Sequence, residues 1–371
     1  MEQEKPNGEH LFNPKIAYND LPLLPPNTDV ETKQVLLSAI SANRAVAELK
    51  GVGSTIPDQR MLINSLVLQE AKASSEIENI VTTNDRLFRA FSATSQQFDP
   101  ATKEVLHYRE AVWEGFNALQ NGGKLETELF IRLQQTITDS GSSIRTGAGT
   151  VISNLTTKEV IYTPPVGERV IREKLLNLER FIQNGDKMDP LVKMALLHYQ
   201  FEAIHPFLDG NGRTGRIINI LYLIQQGLLD LPVLYLSKAI IERKREYYQC
   251  LQLVTERGLW ETWLLFMLSA IETTANQTRE KIIAIRTLLA ETLEIAKRDL
   301  PNRVYSKELV ELLFMQPYTK VQFLVSAGIA ERKTAAEYLK ELEKIGILTA
   351  HPVGRELLYL NVRLYELLAQ G

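Results

Sequence analysis

The stretch of sequence that decides the fold is His205-Pro206-Phe207-Leu208-Asp209-Gly210-Asn211-Gly212-Arg213-Thr214-Gly215-Arg216. It brings a histidine, a carboxylate, several glycines and two arginines into one short segment. The glycines allow backbone N–H groups to converge on an anion. The apolar run Ile217-Ile218-Asn219-Ile220-Leu221 predicts a helix whose N-terminus adds positive partial charge. Together these features predict a site for the phosphates of a nucleotide.

Four side chains of this segment have chemistry suited to such a site. Asp209 can hold a divalent cation. Arg213 and Arg216 are three residues apart, so they share one face of the predicted helix. His205 is the group in the segment that can exchange a proton near neutral pH.

The residues from Gly210 to Gly215 also satisfy the dinucleotide fingerprint G-x-G-x-x-G, with Asp230 near the position of the ribose-binding acid. A dinucleotide-binding turn follows a buried strand. Here Asp189 and Pro190 are instead typical of the N-cap and first residue of a helix leading into the segment. The sequence contains no Walker A motif. Phosphate binding is therefore expected at a junction between two helices.

The segment matches the signature H-P-F-x-[D/E]-G-N-G-R-x-x-R, and the chain resembles the Fic (Fido) family of protein adenylyltransferases. Most members transfer AMP from ATP to a hydroxyl of a target protein. The resemblance implies a mainly α fold with a helical core and a β-hairpin flap, joined here to a small C-terminal winged helix-turn-helix domain. It covers roughly residues 15–275, with the C-terminal module as a frequent bacterial companion.

The resemblance also implies roles for individual residues. His205 takes the proton of the attacking Ser, Thr or Tyr hydroxyl, and Asp209 holds Mg²⁺ between the α- and β-phosphates of ATP. The ATP-binding set it implies comprises Gly210, Asn211, Gly212, Arg213, Thr214, Gly215, Arg216 and Tyr247. In that set the first three residues line the anion hole, and the two arginines balance the charge of the triphosphate.

Tyr247 belongs to a second motif. The run Arg243-Lys244-Arg245-Glu246-Tyr247-Tyr248-Gln249-Cys250-Leu251 resembles the family's [N/R]-x-x-x-Y-Y-x-x-L helix, which borders the adenine pocket. The resemblance implies that Tyr247 stacks on the base. A core position is the alternative interpretation of this tyrosine.

A third motif lies near the N-terminus. Ser74-Ser75-Glu76-Ile77-Glu78-Asn79 matches [S/T]-x-x-x-E-[G/N], the inhibitory motif of the family. Ser74 and Glu78 are four residues apart and so share a helix face. The resemblance implies that Glu78 pairs with Arg216, the arginine that should hold the γ-phosphate, and that ATP then binds unproductively. The chain therefore resembles the self-inhibited class, although a solvated helix carboxylate is the alternative for the motif alone.

The pattern along the chain is mostly helical. Pro- and Asn-rich residues 1–30 predict an extended arm. Amphipathic periodicity predicts helices over about 35–49, 61–73, 104–119 and 126–138, then a long helix from about Asn276 to Asp299. We expect four parts: an arm and helices with the inhibitory helix (1–100), the catalytic core (101–275), a linker helix (276–300) and the winged-helix domain (301–371).

Two segments read as hairpins. The β-rich runs 150–153 and 160–163, joined by a polar turn from Asn154 to Glu159, predict the flap, and an exposed strand edge there could clamp a target segment. Residues 306–314, 319–326 and 331–345 predict three short helices. A hairpin around Gly354 follows them, as in a winged helix-turn-helix.

Bulk composition narrows the class of protein. A net charge of −3, from 42 basic and 45 acidic residues, gives no global case for nucleic acid or an anionic membrane surface. The lone Cys250 is typical of a reducing compartment, and the N-terminus lacks the apolar core of a signal peptide. No apolar run reaches membrane-spanning length. We therefore expect a cytoplasmic protein whose partners are ATP and an unidentified target protein.

Two other functions stay open. In some family members the inhibitory glutamate directs water to remove AMP, and such a de-AMPylase would use the same residues. A DNA-binding regulator built on the C-terminal module is the other alternative. On its third helix Arg332, Lys333, Lys340 and Lys344 are balanced by Glu331, Glu337, Glu341 and Glu343. That balance favours docking of a target or formation of a homodimer over DNA binding.

Overall fold

The structure, a computed structural model, describes residues 12–92, 98–153, 158–185, 187–353 and 356–369. These residues are mainly helical, with two small antiparallel sheets. The first half contains α1 (Lys33–Gly53), α2 (Arg60–Ile77), α3 (Asn84–Ser92), α4 (Pro100–Gln120), α5 (Thr127–Thr138), β1 (Ile152–Ser153), β2 (Val160–Tyr162) and α6 (Glu168–Gln183). The central part contains α7 (Pro190–Ile204), α8 (Asn211–Gln225), α9 (Leu236–Glu242), α10 (Lys244–Arg257) and α11 (Trp260–Asp299). The C-terminal part contains α12 (Lys307–Leu312), β3 (Tyr318–Thr319), α13 (Val321–Ser326), α14 (Arg332–Lys344), β4 (Thr349–Val353), β5 (Glu356–Leu360) and α15 (Val362–Ala369). The mainly α class predicted from the sequence is confirmed.

Helix α7 lies at the centre of the molecule. The Asp189 side chain caps it by accepting from the backbone N–H groups of Leu191 and Val192 at 2.9 and 3.3 Å, and Pro190 occupies the first turn. This start is the one that the sequence predicts. Thirteen of its fifteen residues are buried, so α7 is covered on nearly every side. A helix with no solvent face fixes the position of whatever follows its C-terminus.

Helix α11 differs from the prediction. We expected a separate helix from about Asn276, but one helix of 40 residues runs from Trp260 to Asp299. The expected boundary at 276 therefore lies inside a continuous helix. Trp263 near its start is buried and donates from its indole N–H to the Ala195 carbonyl at 2.8 Å, which ties α11 to α7.

The described part of the N-terminal arm, residues 12–30, lies over the flap and α6. The backbone N–H of Tyr18 donates to the Thr163 carbonyl at 2.9 Å, and Lys174 Nζ donates to the Leu21 carbonyl at 2.8 Å. This agrees with the predicted extended arm. Residues 1–11 lie outside the described residues.

The flap is a short hairpin in which β1 pairs antiparallel with β2, with Ile152 opposite Tyr162. Both strands fall within the predicted runs, and the described strands are shorter than those runs. Residues 154–157 of the predicted turn lie outside the described residues.

The C-terminal part has the expected helices and hairpin. Ser306 caps α12 through the Leu309 N–H, and β4 pairs with β5 in a three-stranded sheet of order β3-β5-β4. The short β3 and the final helix α15 were not predicted. Gly354, the expected turn residue, lies outside the described residues, and the winged-helix interpretation stays a prediction. Within the described part of the chain no helix is long and apolar enough to cross a membrane.

Candidate active site

His205 lies at the C-terminus of α7, where it caps the helix in a left-handed conformation with φ of 49°. A non-glycine residue there costs about 1–2 kcal/mol, so the surroundings must hold it. Its ring Nδ1 is 3.3 Å from the Glu202 carbonyl oxygen, one turn earlier. A carbonyl only accepts, so Nδ1 carries the proton and Nε2 keeps its lone pair. Burial lowers the pKa of His205 to about 4. The imidazole is therefore neutral at physiological pH and able to accept a proton.

The turn after His205 is held closed by Asn211. Its side chain accepts from the Phe207 N–H and donates to the Phe207 carbonyl, both at 2.8 Å. Gly210 has φ of 79°, a conformation that favours glycine, and is the N-cap of α8. Helix α8 thus starts at Asn211, six residues before the apolar run from which the sequence predicted it. The Asn211, Gly212 and Arg213 N–H groups belong to its first turn, where a helix offers no backbone acceptor. These three groups can bind an anion.

Thr214 and Gly215 hold this first turn in place. Thr214 Oγ1 donates to the Gly210 carbonyl at 2.8 Å. A Cβ at Gly215 would lie 2.6 Å from Glu202 Oε1 and 3.0 Å from the Phe201 ring, so the glycine lets α8 approach α7 closely. The Thr214 hydroxyl and the absence of a side chain at Gly215 support the loop, and the structure does not place the Thr214 side chain as a ligand.

Asp209 and Arg213 form an ion pair at the turn. The Asp209 side chain is 76% exposed, and its Oδ2 lies 3.4 Å from Arg213 Nη2. Arg213 is buried and forms a second ion pair, 2.9 Å from Nη1 to Glu104 Oε2. No motif or spacing in the sequence points to Glu104. Asp209 therefore offers an accessible carboxylate beside the N-terminus of α8.

The carboxylates near the turn limit how the implied Mg²⁺ could be held. Among the described residues no group of three or more His, Cys, Asp or Glu side chains could hold a metal ion. One exposed carboxylate fits Mg²⁺ that keeps most of its ligands as water and phosphate oxygens. It does not fit a resident ion held by the protein alone.

Arg216 is buried and bound by the predicted inhibitory motif. Its Nη2 lies 2.9 Å from Glu78 Oε1, and its Nε donates to Ser74 Oγ at 2.7 Å. Nη2 also donates to the Ser74 carbonyl at 2.9 Å. Burial would raise the pKa of Glu78, but the charge of Arg216 and its hydrogen bond outweigh burial and lower that pKa. The carboxylate is thus held ionised against the arginine.

Gly212 makes room for this pair. A Cβ there would collide with Glu78 Oε1 and would lie 2.8 Å from Arg216 Nη1. The Glu78 carboxylate, on the residue that caps α2, therefore lies directly over the first turn of α8. Lys244 Nζ fixes the same end of α2 by donating to the Ile77 carbonyl at 2.6 Å.

Three family models match the chain. The Fic/DOC family N-terminal model matches residues 36–117, the Fic/DOC family model matches 124–223, and a model for the C-terminal domain of protein adenylyltransferase SoFic-like proteins matches 288–364. The chain belongs to the Fic/DOC family. The signature segment lies within the central match, and Ser74 and Glu78 lie within the N-terminal match.

Curated relatives share short segments with this Fic chain. Protein adenylyltransferase fic-1 of Caenorhabditis briggsae is 33% identical over 89 residues, which are 24% of this chain and 16% of the relative. A probable protein adenylyltransferase of Aquifex aeolicus is 36% identical over 69 residues, 19% of this chain and 21% of the relative. The matched segments thus span about a fifth or less of these relatives.

Solved structures share the fold over a longer span. A Fic family protein from Desulfovibrio desulfuricans superposes with a TM-score of 0.58 at 18% identity, covering 91% of this chain and 98% of that one. A Fic domain containing signaling protein from Bacteroides thetaiotaomicron gives a TM-score of 0.52 at 17% identity, covering 66% and 95%. At these identities the likeness shows the fold alone.

Tyr247 of the second Fic motif lies in the core. It is buried, its hydroxyl is 2.8 Å from His198 Nε2, and its ring packs beside Trp263. The structure does not bring this ring to the surface of the site, and base stacking by Tyr247 stays a prediction. Its neighbour Tyr248 is 44% exposed. The Y-Y pair in the sequence does not distinguish the two rings.

Glu202 is a residue of the Fic site that the sequence did not single out. Burial raises the pKa of Glu202 to about 7, although the charge of Arg216 opposes the rise. Among the described residues its Oε1 atom is buried without a hydrogen-bond partner. The signal that could have found it is its spacing of three residues before His205, which places it one helical turn away.

Proposed function

We propose that this chain transfers AMP from ATP to a Ser, Thr or Tyr hydroxyl of a target protein, and that Glu78 restrains the reaction by pairing with Arg216. The observation that carries the proposal is the position of His205. His205 lies six residues before the first residue of α8, a helix whose first-turn N–H groups have no backbone acceptor within the helix and whose Arg213 and Arg216 are buried. A proton acceptor beside an anion site suits attack on a phosphate.

In the proposed step the target hydroxyl oxygen forms a bond to the α-phosphorus, and the bond from that phosphorus to the bridging oxygen breaks. Pyrophosphate leaves, and His205 Nε2 takes the hydroxyl proton. The N–H groups of Asn211 and Gly212, with Arg213, bind the phosphate oxygens. Asp209 would hold Mg²⁺, which supplies charge neutralisation on the phosphates when bound.

The restraint rests on occupancy of Arg216. In the described structure its Nε and Nη2 atoms are bonded to Ser74 and Glu78, so they are not free for a γ-phosphate. Because Glu78 lies over Gly212, its carboxylate also repels an anion approaching the first turn of α8. ATP would then bind in a pose that turns its α-phosphate away from the target hydroxyl.

The target would approach over the flap and the signature loop. Leu208 is 74% exposed in that loop, and the flap is a two-stranded hairpin. We infer that an extended target segment pairs with the flap edge and packs an apolar side chain on Leu208. Strand pairing would place the hydroxyl in line with the α-phosphate.

Removal of AMP is the second candidate, favoured by the exposure of Glu78. Its side chain is 36% exposed, so the carboxylate faces the site as well as Arg216 and could orient a water. The balance of charge on α14, where Lys344 pairs with Glu341 at 2.6 Å, gives no support to the DNA-binding alternative. The C-terminal module is assigned to protein contacts, and a homodimer stays a prediction.

The test compares the native chain, Glu78→Gly and Glu78→Gly/His205→Asn in a cell lysate. The label is placed on either the α- or the γ-phosphate of ATP. We expect protein bands labelled from the α-position alone, strongest with Glu78→Gly and lost in the double variant. Label from the γ-position would indicate phosphorylation and would overturn the proposal.

A further inference from the structure

Arg145 lies outside every motif and yet contacts the catalytic turn. It is 3% exposed, and its Nε donates to the His205 carbonyl at 2.7 Å. Its Nη2 donates to the carbonyls of Pro165 at 2.6 Å and Ile204 at 3.2 Å. Its backbone N–H donates to the Pro206 carbonyl at 3.0 Å. One residue thus binds carbonyls on both sides of His205 and one just after β2.

The physical reason is the end of α7. The last carbonyls of a helix lack backbone donors and carry the negative end of its dipole, so a cation is favoured there. Within the described residues Arg145 is in no ion pair with a carboxylate, and its hydrogen bonds go to carbonyls. These bonds also hold His205 in its left-handed conformation, which the residue would not adopt unaided.

We propose that Arg145 is a positioning residue that fixes the His205 imidazole relative to the flap. The proposal rests on the AMP transfer proposed above. Pro165 follows the flap strand that would present the target, and His205 carries the proton acceptor. A single rigid guanidinium joins the two, whereas a lysine ammonium could not reach all three carbonyls in the same geometry.

The kinetic test uses Arg145→Lys in the Glu78→Gly background. Misplacing a reacting group by about 1 Å costs on the order of 100-fold, so we expect kcat to fall about 10- to 100-fold. The KM for ATP should change less than about threefold, because Arg145 does not contact the phosphate site. Arg109→Lys is the matched control, since Arg109 is a partly buried arginine bonded to Asn64 at 3.0 Å, away from the catalytic turn.

A spectroscopic test does not depend on activity. Ring-nitrogen NMR of the five histidines, with His205 assigned by its loss in His205→Asn, reports the tautomer. We expect the Nδ1–H tautomer in the native chain and in Arg109→Lys, and a mixture in Arg145→Lys. An unchanged tautomer with native kcat overturns the proposal, as does an equal loss of kcat and ATP affinity. A Glu78→Gly chain without AMP transfer overturns the proposed function, and the NMR comparison then decides on Arg145 alone.

A separate set of contacts joins the C-terminal part to the inhibitory helix. The Gln69 side chain on α2 donates to the Leu368 carbonyl of α15 and accepts from Lys281 Nζ of α11 at 3.0 Å. Gln69 is five residues before Ser74, about 8 Å along the helix. The C-terminal helix therefore holds the same helix that ends in Glu78.

Helix α3, just after the inhibitory motif, is held from the same side. The Tyr318 hydroxyl of β3 donates to Asp85 Oδ1 at 2.6 Å and accepts from Arg89 Nε at 3.2 Å. Phe88 packs edge-on against Tyr365 of α15. The helix that ends in the inhibitory motif and the helix that follows it are thus both anchored to the C-terminal part.

We infer that the C-terminal part keeps Glu78 on Arg216 by anchoring α2 and α3, so that loosening these contacts raises AMP transfer. This second proposal also rests on the proposed function. Tyr318→Phe removes the hydroxyl bonded to Asp85 and Arg89. Tyr338→Phe is the matched control, because the Tyr338 hydroxyl donates at 2.7 Å to the Arg303 carbonyl within the C-terminal part.

We expect Tyr318→Phe to raise transfer about three- to tenfold, because only part of the energy of hydrogen bonds to charged groups, which is worth about tenfold or more, should reach the Glu78–Arg216 contact. In the Glu78→Gly background it should have no further effect. Hydrogen exchange over residues 74–83 should become faster in Tyr318→Phe and not in Tyr338→Phe. Equal hydrogen exchange in Tyr318→Phe and Tyr338→Phe overturns the inference. An equal increase in AMP transfer with glutamate or glycine at position 78 also overturns it. An inactive Glu78→Gly chain counts against the proposed function, and the exchange data still decide on the anchoring.

Discussion

Replacing Glu78 by glycine removes the carboxylate that holds Arg216, and we expect AMP transfer to rise. The Glu78–Arg216 contact is a charge-assisted hydrogen bond of 2.9 Å, and bonds of this kind contribute about 1.5–3 kcal/mol. The Glu78 side chain is 36% exposed, so solvent screening places this pair in the lower half of the range. Since about 1.4 kcal/mol is tenfold, kcat/KM should increase about 10- to 30-fold.

The assay is the initial rate of pyrophosphate release at an ATP concentration below KM, with label transfer to lysate proteins or to the chain itself as a second readout. Glu76→Gly is the matched control. Glu76 lies two residues earlier on α2 and pairs with Lys72 at 3.7 Å, so it shares the helix effect of glycine without touching Arg216. Arg216→Ala should be inactive with either residue at position 78, because it removes the phosphate ligand.

A Glu78→Gly chain no faster than Glu76→Gly would refute the reasoning. Glu78 would then be a helix-surface carboxylate, or the group that directs water in a de-AMPylase. The two are separated by incubating an AMP-modified protein with each variant. Loss of AMP release in Glu78→Gly alone would support the de-AMPylase.

The remaining predictions concern the base, the metal, a buried acid and the C-terminal part. His205→Asn, in which asparagine tolerates the left-handed backbone, should lower the transfer rate about 10²–10⁴-fold with ATP affinity nearly unchanged, measured by calorimetry. Asp209→Asn should raise the Mg²⁺ or Mn²⁺ concentration needed for half-maximal transfer, and full activity in excess chelator would contradict the role of this carboxylate. Burial raises the pKa of Glu202 to about 7. Between about pH 5 and 7 the folded chain therefore keeps a proton that the unfolded chain has lost. The free energy of unfolding should then fall as the pH rises through this range. In urea unfolding, Glu202→Gln should remove up to about 3 kcal/mol of this pH-dependent decrease in the free energy of unfolding. An equal pH dependence in both proteins would rule out Glu202 as its source. Duplex DNA should not bind specifically at physiological salt, and a nanomolar complex in a mobility-shift assay would restore the regulator alternative.

Local signals in the sequence predicted the junction between α7 and α8. Asp189 and Pro190 mark the start of α7, because a carboxylate cap and a proline in the first turn need no tertiary information. The start of α8 was predicted too late, because the prediction used local signals only. Gly210, Asn211 and Gly212 have poor helix propensity, and the contact that closes their turn runs backwards to Phe207.

Contacts between residues far apart in the chain could not be predicted from the sequence. Arg145 and His205 are 60 residues apart, and Glu104 and Arg213 are 109 apart. No periodicity links such positions, and a lone arginine or glutamate on a helix is usually solvated. The Glu78–Arg216 pair was anticipated only because a family resemblance connected its two motifs. Tyr247 shows the limit of such motifs, since two adjacent tyrosines on a helix face in different directions and the sequence does not say which faces inward.

Gly212 connects the anion site to its restraint. The space that a Cβ would fill at this residue is taken by Glu78 Oε1 on one side and bordered by Arg216 Nη1 on the other. A phosphate bound to the first turn of α8 needs the same space, so carboxylate and phosphate exclude each other sterically as well as by charge. The Arg216 side chain is held in place, because it is buried and bonded to the Ser74 hydroxyl and carbonyl as well as to Glu78. The group that must move is therefore the Glu78 carboxylate at the end of α2. Contacts that hold this helix include Lys244 at the Ile77 carbonyl, the C-terminal part at Gln69 and Ser237 at the buried Glu70. Relief of the restraint is thus expected to begin at the contacts that hold α2 and not at the phosphate site itself.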